Sequence, residues 1–453
     1  MTLSCLQVLS GNVSERDWNK LQYYSRKVKL FILANDTDDS RVHLSTYFRI
    51  SQLQSSESAL FPYLRHFHYN LANRSIPPSH IFLFLSPLLH SLTLHNFGGI
   101  ENTIVVPFLT FLATLSSQTL SRIVLRSGRI SGDSLKNSIV HFKQLRFLEL
   151  SDAVFMSDFT LWEVLGTLPS LADMTLKATD PASYPTYDAE ISNHQSGPKY
   201  FEALHSLCIT GSFLFIQHLL GLIDSPCLTT IKIYPLINNE REDEPDNRFT
   251  PSMTIITSKW PQSLKNFVID SRSGDPALRD YPISECLMSL TVLYELRSFR
   301  LIWMMKNTDD NVRRLVMSWP KLKTLRLPLQ NTSSISLSTL RIIAESCPEL
   351  HHLTTRLDTS TFPPFDTSSK SLHHNLKVLE VRRVHTPIAE TNLASQIRVA
   401  QHLDSIFPYL ESIEVGTKAP DATWSGIRDL VFLCQAAGLR RIKREATTDS
   451  DMI

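Results

Sequence analysis

Apolar residues recur along this chain in a short phrase of the form Leu-x-x-Leu-x-Leu. Residues 322–327, Leu-Lys-Thr-Leu-Arg-Leu, show the phrase well, and the alternation at its end is the period of a strand with one buried face. Between phrases the apolar spacing becomes helical. One such helical set is Val312, Leu315, Val316 and Trp319. The pattern therefore predicts a unit made of one short strand and one amphipathic helix.

The phrase is repeated through most of the sequence at intervals of 24 to 36 residues. Some copies lose one apolar position, so the repeat is irregular. The first leucines of the copies are Leu64, Leu89, Leu120, Leu145, Leu171, Leu204, Leu228, Leu264, Leu296, Leu322, Leu350, Leu376, Leu410 and Leu439.

Proline marks the boundary between helix and strand in these units. Because proline lacks an N–H group and clashes with the preceding turn, it ends a helix and begins an extended segment. Eight of the 24 prolines occupy this one place in the unit, which argues against chance. Pro261 stands three residues before the first leucine of its phrase. The other seven stand two residues before it and are Pro62, Pro87, Pro169, Pro226, Pro320, Pro348 and Pro408.

A single short strand cannot bury its apolar face, but stacked copies share a continuous core. The predicted fold class is therefore α/β, a leucine-rich-repeat solenoid with a curved parallel sheet and helices on its convex side. We predict a helix and strand cap at 1–35, about 14 repeats at 36–445 and a flexible tail at 446–453. Four stretches interrupt the period and are predicted as loops: 177–200, 238–252, 271–282 and 358–375.

Charge and cysteine content narrow the function classes. Lys plus Arg total 45 and Asp plus Glu total 44, so no global field favours nucleic acid or membranes. The six cysteines are scattered without a Cys-x-x-Cys pair, which indicates reduced thiols buried in an intracellular protein. Residues 1–14 lack the features of a secretory signal. The expected location is cytoplasmic or nuclear.

The sequence contains few residue patterns typical of catalytic or metal-binding sites. Residues 128–132, Gly-Arg-Ile-Ser-Gly, miss the nucleophile-elbow pattern by one place and are interpreted as a turn that opens a helix. The histidine pairs at 66/68, 351/352 and 373/374 have no cysteine or carboxylate at ligand spacing. No glycine-rich phosphate loop occurs. We expect no enzyme activity, no metal and no cofactor.

The residues between the leucines are predicted to lie on the concave face, where solenoids usually bind their partners. The four phrases that start between positions 228 and 322 carry six cations at these positions, and Asp270 is the only acid among the corresponding positions. Two later phrases carry Glu380, Glu411 and Glu414 instead. The basic residues are either solvated charges or a stripe that selects an acidic or phosphorylated segment of a protein partner. The candidate stripe consists of Lys232, Lys265, Arg297, Arg300, Lys323 and Arg326.

Residues 14–31 resemble the region that follows the F-box in fungal F-box/leucine-rich-repeat proteins. There, a helix that contains a tryptophan and ends in a tyrosine leads through a basic-Val-basic step into the first repeat. The phrases at 86–94 and 346–350 are similar to that family too. The F-box itself, expected before residue 1, has no counterpart in residues 1–33.

The resemblance implies a substrate-binding part of an F-box-type ubiquitin ligase adaptor. Two expectations stay open: the sequence is a truncated form of such a protein, or it is a relative that kept only the recognition solenoid. Binding to a ligase linker subunit is expected only with an F-box upstream. The alternative is a free-standing leucine-rich-repeat scaffold with no ligase connection. In each case the expected partner is a protein, not nucleic acid or a membrane.

Overall fold

A computed structural model gives the fold of the chain. It describes residues 14–33, 50, 59–70, 78–98, 100–128, 130, 132–151, 159–178, 201–236, 245–271, 283, 285–303, 305, 308–327, 334–359, 372, 374–381, 393–415 and 422–450. The chain divides into two compact units, unit 1 at Met1–Leu228 and unit 2 at Thr229–Ile453.

Unit 1 contains seven parallel strands among its described residues, paired in chain order. The first strand follows the N-terminal helix, and each of the other six begins two residues past the first leucine of its phrase. The strands are β1 (Leu30–Leu33), β2 (His66–Asn70), β3 (Ser91–His95), β4 (Arg122–Arg126), β5 (Phe147–Ser151), β6 (Asp173–Lys177) and β7 (Ser206–Gly211).

Unit 2 repeats the arrangement with seven parallel strands in its main sheet, as far as the structure describes it. They are β8 (Thr230–Pro235), β9 (Asn266–Asp270), β10 (Ser298–Ile302), β11 (Thr324–Arg326), β13 (His352–Thr355), β15 (Val378–Val381) and β16 (Ser412–Val415). A separate two-stranded sheet pairs β12 (Ile335–Ser336) with β14 (Leu357–Asp358).

Helices connect the strands, as the apolar spacing predicts. In unit 1 they are α1 (Glu15–Ser25), a 3₁₀ helix (Pro78–Phe84), a π-helical turn (Glu101–Val105), α2 (Val106–Ser116), α3 (Gly132–Ile139), α4 (Phe159–Gly166) and α5 (Phe213–Leu222). In unit 2 they are α6 (Pro245–Lys259), α7 (Glu285–Met288), a 3₁₀ helix (Ser289–Val292), α8 (Thr308–Val316), α9 (Leu337–Ser346), α10 (Leu393–Ile406) and α11 (Ala422–Ser450).

The repeated leucines form the core between sheet and helices. The first leucines of thirteen phrases, from Leu64 to Leu410, are all exposed by 3% or less. Buried residues alternate with less buried ones along strands such as β3 and β10. In β4 and β5 residues of the other face are buried as well. The predicted α/β class and leucine-rich-repeat solenoid fold are confirmed by these parallel strands and their buried leucines.

The same backbone contact joins neighbouring repeats within each unit. The carbonyl of the residue just before a strand accepts two N–H groups from the next repeat, at 2.7 to 3.2 Å. In the unit of residues 322–327, for example, the N–H groups of Lys323 and Thr324 both reach the carbonyl of Arg297. The acceptors are Lys29, Arg65, His90, Ser121, Arg146, Ala172, Thr229, Lys265, Arg297, Lys323, His351 and Lys377. These bonds fix the register between neighbouring strands.

A second set of contacts joins the turns that precede the strands. Buried polar side chains donate to a carbonyl of the preceding repeat, which satisfies groups that would otherwise be buried without a partner. The indole Nε1–H of Trp319, for example, donates to the carbonyl of Leu290 at 3.1 Å. The residues that contribute such contacts are Ser86, Ser116, Ser225, Trp319, Cys347 and His374.

His374 makes two of these contacts with one ring. Its Nε2 lies 2.8 Å from the carbonyl of Cys347, and its Nδ1 accepts the backbone N–H of Leu376 at 3.1 Å. The ring must therefore be neutral with its proton on Nε2. Burial lowers the pKa of His374, and this outweighs the opposing effect of the bond to Cys347.

The cysteines follow the expectation only in part. Cys286 and Cys347 are buried, and burial raises the pKa of the Cys347 thiol to about 12, which makes it unreactive. Cys208 and Cys434 are half-buried, and Cys227 is exposed. The expectation that all these thiols are buried is therefore wrong for Cys227.

Two segments differ from the sequence-based prediction. The phrase that begins at Leu439 lies inside α11, which continues to Ser450, and forms no strand. Its third apolar position is basic, so it lacks the alternation that a buried strand requires. The predicted loop 238–252 gives way to α6 at Pro245, because Phe249, Met253 and Ile256 are spaced for one helix face and are fully buried.

We expect His374→Gln to reduce the acid sensitivity of the fold. Because the pKa of His374 is lowered in the folded state, its contribution to stability is present above the unfolded-state pKa, near 6.5, and is lost as the pH falls below it. Glutamine does not titrate, so urea unfolding at pH 7.5 and 5.5 should show a smaller loss of stability in the variant.

The matched control is His141→Gln, which changes an exposed imidazole. It should leave the loss of stability between the two pH values unchanged. An equal loss in the wild type and in His374→Gln would contradict the role given to this ring.

Candidate protein-interaction faces

The sheet of each unit has one face against the helices and one open face. On the open face lie the residues that alternate with the buried ones. Since neighbouring strands are parallel and in register, open-face residues line up in rows that run across the strands at about 4.8 Å per step.

The middle row of unit 2, here called the mid-strand row, changes its charge from one end to the other. Cations occupy it on β8, β10 and β11, and carboxylates occupy it on β15 and β16. The row consists of Lys232, Val268, Arg300, Arg326, Thr354, Glu380 and Glu414.

The six candidate basic residues fall into two rows. Lys232, Arg300 and Arg326 lie in the mid-strand row, while Lys265, Arg297 and Lys323 each precede a strand by one residue. Lys232, Arg297 and Lys323 are exposed, and the other three are half-buried. The candidate stripe is therefore two rows on neighbouring strands.

Arg300 differs from the other cations because it forms an ion pair with a buried carboxylate. Its Nη2 lies 3.6 Å from Oδ2 of Asp270, whose side chain is 1% exposed. Its Nε is buried and has no hydrogen-bond partner among the described residues. Much of the charge of Arg300 is thus already balanced within the protein, so it offers less to a partner than Lys232 or Arg326.

Lys323 also has a partner, Glu349, at 3.5 Å, but both side chains are about half exposed. Pairs of this kind contribute little to stability. Lys232, Lys265, Arg297 and Arg326 form no ion pair within the described part of the chain.

A hydrogen-bond chain lies beside Arg326 at the acidic end of the row. The hydroxyl of Thr354 donates to Glu380 at 2.9 Å, and Nε2 of His352 lies 3.1 Å from that hydroxyl. Burial and then the charge of Arg326 lower the pKa of His352, although Glu380 and Glu414 oppose this. His352 is therefore neutral near pH 7 and donates through Nε2 to Thr354.

The last open-face row of unit 1, here called the C-terminal row, is polar on six consecutive strands. It presents an amide, an imidazole, a guanidinium, two hydroxyls and an ammonium group. The row consists of Asn70, His95, Arg126, Ser151, Lys177 and Thr210. Sequence reasoning missed it, although an alignment of the phrases by their last strand position would have shown a column without an apolar residue.

A buried carboxylate joins two cations of this row. Arg126 donates Nε–H and Nη2–H to the two oxygens of Glu149, at 2.7 and 2.9 Å, and Nζ of Lys177 lies 3.4 Å from Oε1. The side chain of Glu149 is only 6% exposed, whereas those of Arg126 and Lys177 are 41% and 42% exposed.

The charges explain the protonation of this cluster. Burial raises the pKa of Glu149, but the hydrogen bonds and charges of Arg126 and Lys177 outweigh burial and hold the pKa below its usual value. The bond to Glu149 raises the pKa of Arg126. Glu149 and Arg126 are therefore both charged near pH 7. With the Lys177 ammonium group the cluster has a net charge of +1.

Two histidines lie beside Arg126. The rings of His68 and His95 stack with centroids 4.8 Å apart, and Nε2 of His95 is buried with no hydrogen-bond partner among the described residues. Burial, assisted by the charge of Arg126, lowers the pKa of both rings. They add no positive charge to the cluster at neutral pH.

The structure describes part of the motifs considered for catalysis or metal binding. Gly128 lies against the buried ring of Phe97, which leaves no room for a Cβ atom, and Ser131 lies outside the described residues. His66, His68 and His352 lie on strands, and His373 is outside the described residues. Within the described segments no group of three His, Cys, Asp or Glu residues is placed to hold a metal ion.

Comparison with known proteins adds two distant structural likenesses. No protein-family model matches the chain, and no curated protein matches its sequence. The crystal structure of the Rad7 and Elc1 complex in yeast is similar at 15% identity and a TM-score of 0.40, over 83% of this chain and 93% of that chain. A protein from Bacteroides fragilis is similar at 11% identity and a TM-score of 0.32, over 87% of this chain and 74% of that chain. Neither likeness bears on function.

None of the helices in the described segments is long and apolar enough to cross a membrane.

We expect Arg300→Leu to destabilise unit 2, because it removes a positive charge that lies beside the buried Asp270 carboxylate. The expected loss is about 1–3 kcal/mol of unfolding free energy, below the range for a fully buried pair since Arg300 is partly exposed. Urea unfolding of the purified chain measures this loss.

The matched control is Arg297→Leu, which removes an exposed arginine that precedes the same strand. It should change the free energy by no more than about 0.5 kcal/mol. Equal effects of the two substitutions would show that Arg300 is an ordinary surface cation.

Proposed function

We propose that this chain is a non-enzymatic protein-recognition subunit and that the mid-strand row of unit 2 binds its partner. The observation that carries the proposal is the alignment of Lys232, Arg300 and Arg326 in one row on an open sheet face of an otherwise neutral chain. The basic end of the row suits an acidic or phosphorylated segment of a partner protein.

The row suits recognition better than stability. Lys232 and Arg326 form no ion pair with described residues, so their removal costs the fold little. Their charges instead attract an oppositely charged segment and bring it into register with the row. Glu380 and Glu414, further along the row, would repel an acidic segment that bound in the wrong position.

The double variant Lys232→Glu/Arg326→Glu should lose partner capture by about ten-fold or more, since two attractive contacts become repulsive. Partners identified by proximity labelling in the source organism are tested for binding to the purified chain at low and high salt. Wild-type binding should weaken as the salt concentration rises.

The control is Arg314→Glu/Arg398→Glu, which makes the same change in net charge at exposed positions on α8 and α10. It should bind partners like the wild type. Loss of capture in both double variants would mean that net charge, and not the mid-strand row, controls binding.

The finer proposal is that this recognition serves an F-box-type ubiquitin ligase. Its support is the resemblance of residues 14–31 to the segment that follows the F-box. The full-length gene product, purified from the source organism, should then bring with it a Skp-type linker and a cullin. Recovery of partner proteins without either subunit would remove the ligase role and leave the recognition role standing.

A further inference from the structure

Three hydrogen-bond donors occupy one position on three adjacent strands of unit 1. Arg126 on β4, Ser151 on β5 and Lys177 on β6 are register partners on the open face. Since each strand step is about 4.8 Å, the backbone places both cations beside the same serine. The arrangement is set by the sheet and does not depend on a loop.

Glu149 orients these cations without using all of their donors. A guanidinium has five N–H groups and an ammonium has three. Arg126 directs two of its groups to Glu149 and Lys177 directs one. The remaining donors belong to side chains that are about 40% exposed, so they are available to a group that approaches from solvent.

Ser151 supplies an independent observation. The residue is 5% exposed, and its Oγ is buried without a hydrogen-bond partner among the described residues. Buried hydroxyls nearly always have a partner, so an unpartnered Oγ between two cations is a hydrogen-bonding group that calls for one. Leu148 and Leu150 are fully buried, so alternation puts Ser151 on the same open face as Glu149.

The chemistry of the cluster selects an anion. Its net charge is +1, and its uncommitted groups are donors that flank a hydroxyl. An arginine held by a carboxylate presents a fixed planar fork, which suits the oxygens of a phosphoryl or carboxylate group. A cation would be repelled, and an apolar group would leave the donors unsatisfied.

We propose that Arg126, Ser151 and Lys177 form an anion subsite for a phosphoryl or carboxylate group on a bound polypeptide, with Glu149 as the residue that positions the two cations. The proposal rests on the proposed role in protein recognition but concerns unit 1. Its test uses small probes and unit 1 variants, so its failure is distinct from failure of the Lys232 and Arg326 variants.

The test is calorimetric titration of the full chain with two capped peptides, acetyl-Gly-Gly-phosphoserine-Gly-Gly-amide and the same peptide with glutamate in place of phosphoserine. Binding of either peptide identifies the anion source. Lys177→Gln should raise the Kd of the bound peptide by about ten-fold or more, the loss expected for a hydrogen bond to a charged group. Lys143→Gln removes an exposed lysine elsewhere in unit 1 and should leave the Kd unchanged.

Two further variants separate binding from folding. Ser151→Ala removes only the buried hydroxyl and should raise the Kd several-fold while the urea midpoint stays within error, because that hydroxyl bonds to none of the described residues. Arg126→Lys keeps the charge beside Glu149 but removes the fork, so it should weaken binding without loss of the folded state.

The proposal is overturned if neither peptide binds, or if Lys177→Gln and Lys143→Gln bind equally well. It is also overturned if a ten-residue oligothymidylate binds in a Lys177-dependent manner while both peptides fail, because the subsite would then belong to nucleic acid. Reduced peptide binding in Ser151→Ala, with unchanged stability, supports it most directly.

Discussion

The structure depends on the inability of one short strand to bury its apolar face alone. Each strand solves this by pairing with the next, and the pairing is enforced where a carbonyl just before the strand accepts two N–H groups of the following repeat. Leucines on the inner face then stack into one core within each unit. Buried side chains such as Trp319 and His374 form hydrogen bonds with backbone carbonyls in the turns. Local unfolding of any one internal repeat would therefore expose the faces of its two neighbours.

The same pairing determines where function is possible. Inner positions are committed to the core, so chemistry is confined to the alternate positions, and the register collects these into rows. In unit 2 the mid-strand row brings together residues as distant in sequence as Lys232 and Glu414. In unit 1 the strand register brings Arg126 and Lys177 to opposite sides of Glu149. A row of this kind forms an extended surface rather than a deep cavity, and solenoids usually bind their partners on such surfaces.

Much of the fold could be predicted because leucine spacing and proline position act within one unit. Leu322 and Pro320 reveal a strand and its boundary without knowledge of any other repeat. The candidate site was harder to predict, because the partner of Arg300 is an acid on the neighbouring strand and Glu149 meets cations 23 and 28 residues away. Irregular intervals hide such columns. The phrase at Leu439 shows the opposite error. Its local pattern predicts a strand, but the segment forms part of a helix.

The constant register also has a consequence for how such a protein changes during evolution. Insertion or loss of one complete repeat moves every row by a single strand, and leaves the contacts inside each remaining repeat intact. The distance between a cation such as Arg326 and a carboxylate such as Glu380 can thus change only in steps of about 4.8 Å. Selection can therefore adjust the spacing of charges on the open face in fixed steps, without a change in the core.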